Sequence, residues 1–114
     1  MIASLKDLAG SAPPELILRS AAAIEQTCGG LTANLWDDPF EWTLPETLSN
    51  THRIIEYLSE VDLARQRLFN SIRDDSVLSK YISTPAGEKP LVNLLLETVV
   101  KAGDYWSQAV ETIK

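Results

Sequence analysis

Apolar residues recur at three- and four-residue spacing along three stretches of this chain. Leu16, Ile17, Ser20, Ala21, Ile24 and Cys28 form the first set. Leu44, Leu48, Thr51, Ile55, Leu58, Val61, Leu68, Phe69 and Ile72 form a second, longer stripe. Val92, Leu95, Val99, Ala102, Trp106, Ala109 and Ile113 form a third, alternating by three and four like the a and d positions of heptads. That spacing belongs to amphipathic helices, and the heptad-like seam predicts near-parallel helix packing. No stretch alternates convincingly with a period of two, so the pattern predicts an all-α bundle.

Punctuation residues set the expected limits. Ser11, Pro13 and Pro14 mark the start of the first helix, and Gly29 and Gly30 its end. Residues 1–12 read as a loose arm or a short helical turn, leaving 13–114 as a single helical-bundle domain. Thr43, Pro45 and Glu46 compose a capping box with proline in the first turn. The long helix they open meets no glycine or proline before Asp74, a length of roughly 43 Å at 1.5 Å per residue. Asp74, Asp75 and Ser76 can cap a short helix over 77–82, which two prolines and a glycine in 83–90 then break. Pro90 opens the last helix. The connection after the first helix carries Trp36, Phe40 and Trp42, which either close over the end of the core or form an exposed binding patch.

Charge and composition narrow the functional classes. Of 114 residues, sixteen are acids and ten are bases, a net charge of −6. An acidic chain is poorly suited to nucleic-acid backbones or anionic membranes, which both call for a basic face. The charge also serves solubility. The longest apolar runs are a few residues, far short of the ~20 that span a bilayer, and the first residues lack a signal-peptide core. Cys28 is the single cysteine, so no internal disulfide forms, and a reducing cytoplasm is the expected setting.

Candidate chemistry is sparse. The chain has no phosphate-binding glycine loop, Cys-x-x-Cys, His-Glu-x-x-His or nucleophile elbow. Its one histidine, His52, rules out a multi-histidine metal cage within the chain. His52 falls on the flank of the long stripe, as a structural residue or as a general base. Asp62 and Arg65 interrupt that stripe three residues apart, spaced to pair along one helix face. They signal a wet end of the bundle, a polar pocket or a subunit interface; Arg65 has the planar fork that suits a carboxylate. Lys101, Tyr105 and Gln108 share one face of the last helix, with Gly103 beside the seam, where it would permit close helix approach.

These segments resemble the DinB-like (YfiT-like) superfamily of four-helix bundles. In that family a tryptophan-containing loop leads into a helix with a histidine on its inner side; PFEWTLPETLSNTHRIIEYL is similar, with Trp42 in the loop and His52 in the histidine's place. DDSVLSKYISTPAGEKPLVNLL is similar to the acidic turn and short TP-G stretch before the family's last helix. KAGDYWSQ matches the register of the family's His-x-x-x-His-x-Gly-Gln pattern: Lys101 and Tyr105 stand where the two histidines would be, Ser107 replaces the glycine and Gln108 is kept. The resemblance implies a compact four-helix up-down bundle. Many members resemble metal-dependent enzymes of low-molecular-weight thiols, holding a divalent metal with three histidines. Lys101 is an ammonium at neutral pH and Tyr105 would have to ionise before ligating, so the departure implies neither metal nor cofactor.

Three functions follow as expectations. One is a binding or structural protein acting as a homodimer, through an interface or pocket formed by Trp42, His52, Asp62, Arg65, Lys101, Tyr105 and Gln108. Another is a metal-independent enzyme on a small molecule, with His52 as base, Tyr105 as donor and Lys101 or Arg65 holding an anion. The third is a helical adaptor that docks a protein partner through the loop of Trp36 and Trp42.

Overall fold

The computed structural model describes residues 2–36, 50–72 and 74–113. Among them are four α-helices: α1 (Ile2–Leu8), α2 (Pro14–Ala33), α3 (Thr51–Ser71) and α4 (Leu91–Thr112). A short 3-10 helix (Asp75–Ser79) follows α3, and an antiparallel hairpin of β1 (Tyr81–Thr84) and β2 (Gly87–Pro90) leads into α4. The described residues are mostly helical, as the period of the apolar residues requires.

Helix α2 is the centre of the fold. It packs against both α3 and α4, which touch each other little. Its sequence suits that position: Ser20, Ala21, Ala22, Ala23, Thr27 and Gly30 are all buried, so small residues face neighbours on several sides. Small residues answer them on α4, where Ala102 and Ala109 are fully buried. The close approach brings polar groups into reach across the interface. Ser20 Oγ donates to the Ala102 carbonyl at 2.7 Å, and the Thr27 and Thr98 hydroxyls lie 2.6 Å apart. Thr98 in turn donates to the Leu94 carbonyl at 2.8 Å. Buried hydroxyls stay inexpensive only when bonded in this way.

Several sequence expectations are corrected here. In place of an arm, residues 2–8 form helix α1, which sets Ile2, Leu5 and Leu8 into the main core with Ile17, Leu18, Ile54, Tyr57, Leu58 and Val61. Ser11 does not cap α2; its hydroxyl closes α1 by donating to the Leu8 carbonyl at 3.1 Å.

The helix expected to run unbroken from residue 43 does not pass through Asn50. That residue is extended (φ −147°, ψ 118°), and its side chain accepts the His52 backbone N–H at 2.8 Å. Asparagine is among the strongest N-caps, and α3 begins there, giving about 31 Å of helix at 1.5 Å per residue. The capping box of Thr43 and Glu46, together with Phe40 and Trp42, lies outside the described residues. Ile54 and Tyr57 are buried in α3, where the stripe had placed Thr51 and Ile55.

Helix α2 does not stop at the glycine pair. It runs to Ala33 and ends on Asn34 in the left-handed region (φ 55°), whose N–H bonds the Gly30 carbonyl while that of Leu35 bonds the Gly29 carbonyl. Gly30 has another task. A Cβ there would fall inside the Trp36 indole, against Cδ2, Cε3 and Cζ3. The missing side chain lets the chain fold back so that the indole lies on the helix.

The helical content is compatible with the expected all-α class, to which the structure adds one short hairpin. Tyr81 pairs with Pro90 and Thr84 with Gly87, leaving Pro85 and Ala86 as the turn. Proline after the first residue and glycine at the fourth suit a type I turn. Thr84 Oγ1 fastens it, donating to the Gly87 carbonyl at 2.6 Å and accepting the Ala86 N–H at 3.2 Å. The helix expected over 77–82 is instead the 3-10 helix, ended where Tyr81 enters β1.

Candidate functional site

Helix α4 presents apolar residues in two directions. Leu91, Leu94, Ala102 and Ala109 are buried, chiefly against α2. Leu96, Val99 and Val100 are 60, 61 and 63 % exposed. At ~100° per residue these three, with the half-buried Val92 and Gly103, occupy one side of the helix, and no charged residue falls among them. Val99, expected in the inner seam, therefore belongs to an outer face.

That outer face continues into an apolar cleft of about 200 Å³ where α3 and α4 diverge. Ile24, Cys28, Leu68, Phe69, Leu95 and Val99 form its walls, with Arg65 at its edge. Phe69, expected in the stripe of α3, is about half exposed here. Burial pushes the Cys28 thiol above its ordinary pKa, so the sulfur lines the cleft as an apolar, unreactive atom.

Asp62 and Arg65 pair as their spacing predicts. Arg65 donates to Asp62 Oδ1 from Nε at 3.1 Å and from a terminal nitrogen at 2.8 Å, and Gln66 donates to Oδ2 at 2.9 Å. The Arg65 hydrogen bonds hold the Asp62 carboxyl below the usual carboxylate range. A carboxylate depressed in the fold stabilises it above the unfolded pKa and loses that contribution as pH falls through the folded one. Asp62→Asn is therefore expected to cost under ~1 kcal/mol at pH 7, since both partners are partly exposed. The gap between variant and parent in urea unfolding should close below about pH 4, near the unfolded value.

A second cavity, of about 330 Å³, lies on another side of α4. Gln26 and Thr27 of α2, Glu97, Thr98 and Lys101 of α4, Trp36, and the hairpin turn at 84–86 surround it. Gln26 Nε2 donates to the Trp36 backbone carbonyl at 2.7 Å, and Trp36 Nε1 donates to Asn34 Oδ1 at 2.9 Å, so the residue is held at its backbone and at its ring. Lys89 pairs with Glu97 at 2.8 Å.

The residues singled out from sequence do not form one site. His52 lies in the first turn of α3 with its side chain 80 % exposed and Nε2 2.9 Å from Glu56, not on the flank of the core. Tyr105 is half-buried beside the Arg19 guanidinium. Gln108 is exposed. Lys101 borders the second cavity and also a shallow outer depression with Leu96, Val100 and Asp104. Neither His52 nor Tyr105 lines either cavity. Trp42 lies outside the described residues. These positions do not fit the divalent metal of the resembled family: an exposed imidazole on Glu56, an ammonium and a phenol beside an arginine make no donor set. Among the described residues no three His, Cys, Asp or Glu side chains gather as ligands.

Trp36, Gln26 and the hairpin carry the larger of these two cavities. Of these, Trp36 stood out in the sequence as a loop aromatic and the hairpin turn as a TP-G stretch, whereas Gln26 did not. Compared with known protein families, curated proteins and solved structures, the chain matches none. No helix among the described residues is long and apolar enough to cross a membrane.

Proposed function

We propose that this chain is a binding or structural protein that works as a homodimer, with the outer face of α4 as its self-association surface. The observation that carries this reading is the uncharged run of Leu96, Val99 and Val100, more than half exposed, beside the half-exposed Phe69. Contiguous apolar surface of this kind marks an interaction site. A second copy is the favoured occupant because a two-fold axis sets a patch against itself. Its apolar run holds no charge, the flanking Lys101 and Asp104 are of opposite sign, and Gly103 beside it would let two helices approach closely. The scaffold we propose is a compact, metal-free relative of the DinB-like bundles, supported by the helical content and by the ordered motifs from Trp42 to Gln108. A cytoplasmic setting accords with the single free cysteine.

The enzymatic alternative has less support, because His52, Tyr105 and Lys101 share neither cavity. The adaptor alternative loses one of its two anchors, because Trp36 is held against Gly30 instead of projecting as a docking residue.

Val99→Asp and Val100→Asp test the interface. Each places a carboxylate on a surface already exposed in the single chain, so folding should survive. The double variant is expected to sediment as one chain under conditions where the parent sediments as two. A parent that stays monomeric at high concentration contradicts the proposal.

A further inference from the structure

We propose that the cavity between α2, α4 and the hairpin turn binds a small planar monocarboxylate, with its ring against Trp36 and its carboxylate at Lys101. The inference stands apart from self-association and rests on how the cavity is constructed.

Its volume of about 330 Å³ is at the small end of the range of ligand sites. A small molecule fits it and a peptide segment does not. Its aromatic wall is built deliberately. Trp36 needs a glycine beneath it, an amide bond from Gln26 and an indole bond to Asn34. A large flat surface fixed in this way offers a planar ring an offset-stacking partner at little entropic cost.

Charge then selects among planar ligands. Lys89 and Glu97 neutralise each other across 2.8 Å. Lys101 is left as the cation of the cavity, in a chain whose overall charge is −6. With Lys89 and Glu97 cancelling, Lys101 gives the cavity lining a net charge of one positive unit, which suits one carboxylate. The remaining polar groups set orientation. Thr98 donates to the Leu94 carbonyl, so Thr27 donates to Thr98, and the Thr27 oxygen keeps lone pairs free to accept. Gln26 commits its nitrogen to Trp36 and keeps its oxygen as an acceptor. A hydroxyl or amino substituent on the ring would be read by these acceptors.

The test uses the full chain, labelled with 15N and titrated with benzoate and separately with benzamide, its neutral counterpart. The signals to follow are the Trp36 indole N–H and the Ala86 and Gly87 amides. Benzoate is expected to shift them saturably and to bind about tenfold more tightly than benzamide, as a charge-assisted contact requires. Lys101→Gln, at an exposed position that does not threaten the fold, should weaken benzoate severalfold and leave benzamide unchanged. Trp36→Leu should weaken both probes; if that variant does not fold, the Lys101→Gln comparison decides alone. Equal affinity for the two probes, or benzoate binding unaffected by Lys101→Gln, overturns the assignment. So does the absence of any saturable shift at millimolar benzoate.

Discussion

Truncating Leu5 to alanine is expected to destabilise the protein by about 2–5 kcal/mol, the range for removing a fully enclosed leucine side chain. Leu5 is completely buried, and the cluster around it joins α1 to α2, α3 and the end of α4. The loss would be a large share of the total, since domains of this size are stable by about 5–15 kcal/mol. Chemical denaturation monitored by far-ultraviolet circular dichroism measures it. A change near zero would mean that α1 is not part of the cooperative core. Lys6 on the same helix is only half-buried; Lys6→Ala supplies the control and should change little.

Gly30→Ala carries the second large effect, and its sign is informative. On an exposed helix the substitution would stabilise by up to ~1 kcal/mol. Here the added methyl meets the ring atoms of Trp36. Overfilling a packed contact costs about 1–3 kcal/mol, so a net loss is expected. The indole should be displaced, with a change in its fluorescence and loss of its bond to Asn34. The cavity beside α4 would lose its aromatic wall. Gly29→Ala is milder, because a Cβ there approaches the Leu35 carbonyl at 3.1 Å, close but not overlapping. A stabilised Gly30→Ala protein with unaltered tryptophan emission would contradict the packing of Trp36 on α2.

The sequence declared its helices wherever an apolar stripe was long and one-sided, and became ambiguous where it was not. The pairing of Asp62 with Arg65 was readable because both residues and their spacing lie in one helix. Residues 1–12 read equally as a loose arm or a short helical turn because IASLKDL offers only two turns, too few to separate a core helix from a loose end. In α4, apolar residues nearly encircle the first half. Val92, Leu95 and Val99 kept heptad time as well as Leu91 and Leu94 did, and the periodicity could not tell which side meets α2. The hairpin escaped because its strands are four residues each and half polar; its proline and glycine announced a break without naming the turn. Gly30 looked like a helix terminator because its real reason, the returning Trp36, is a tertiary contact six residues away. His52 was placed about 120° round from Leu58, on the flank of a stripe that took in Thr51 and Ile55; the buried residues are Ile54 and Tyr57, which turns the core face away from the histidine. That leaves the histidine on the opposite side, in the first turn of α3, with its imidazole in solvent.

The cavity beside α4 was invisible for a related reason. Its residues come from two helices, a connection and a hairpin, and no spacing within one element betrays them. The outer face of α4 was visible as surplus hydrophobicity, but only the packing of α2 shows which half of that surplus remains uncovered.

The most direct measurement of the central claim is the mass of the parent chain in solution, by sedimentation equilibrium over a wide concentration range, beside the Val99→Asp/Val100→Asp variant. The account predicts twice the 12.6 kDa chain mass for the parent and a single chain for the variant. A parent that remains at one chain mass throughout, or a variant that associates as readily as the parent, would contradict it.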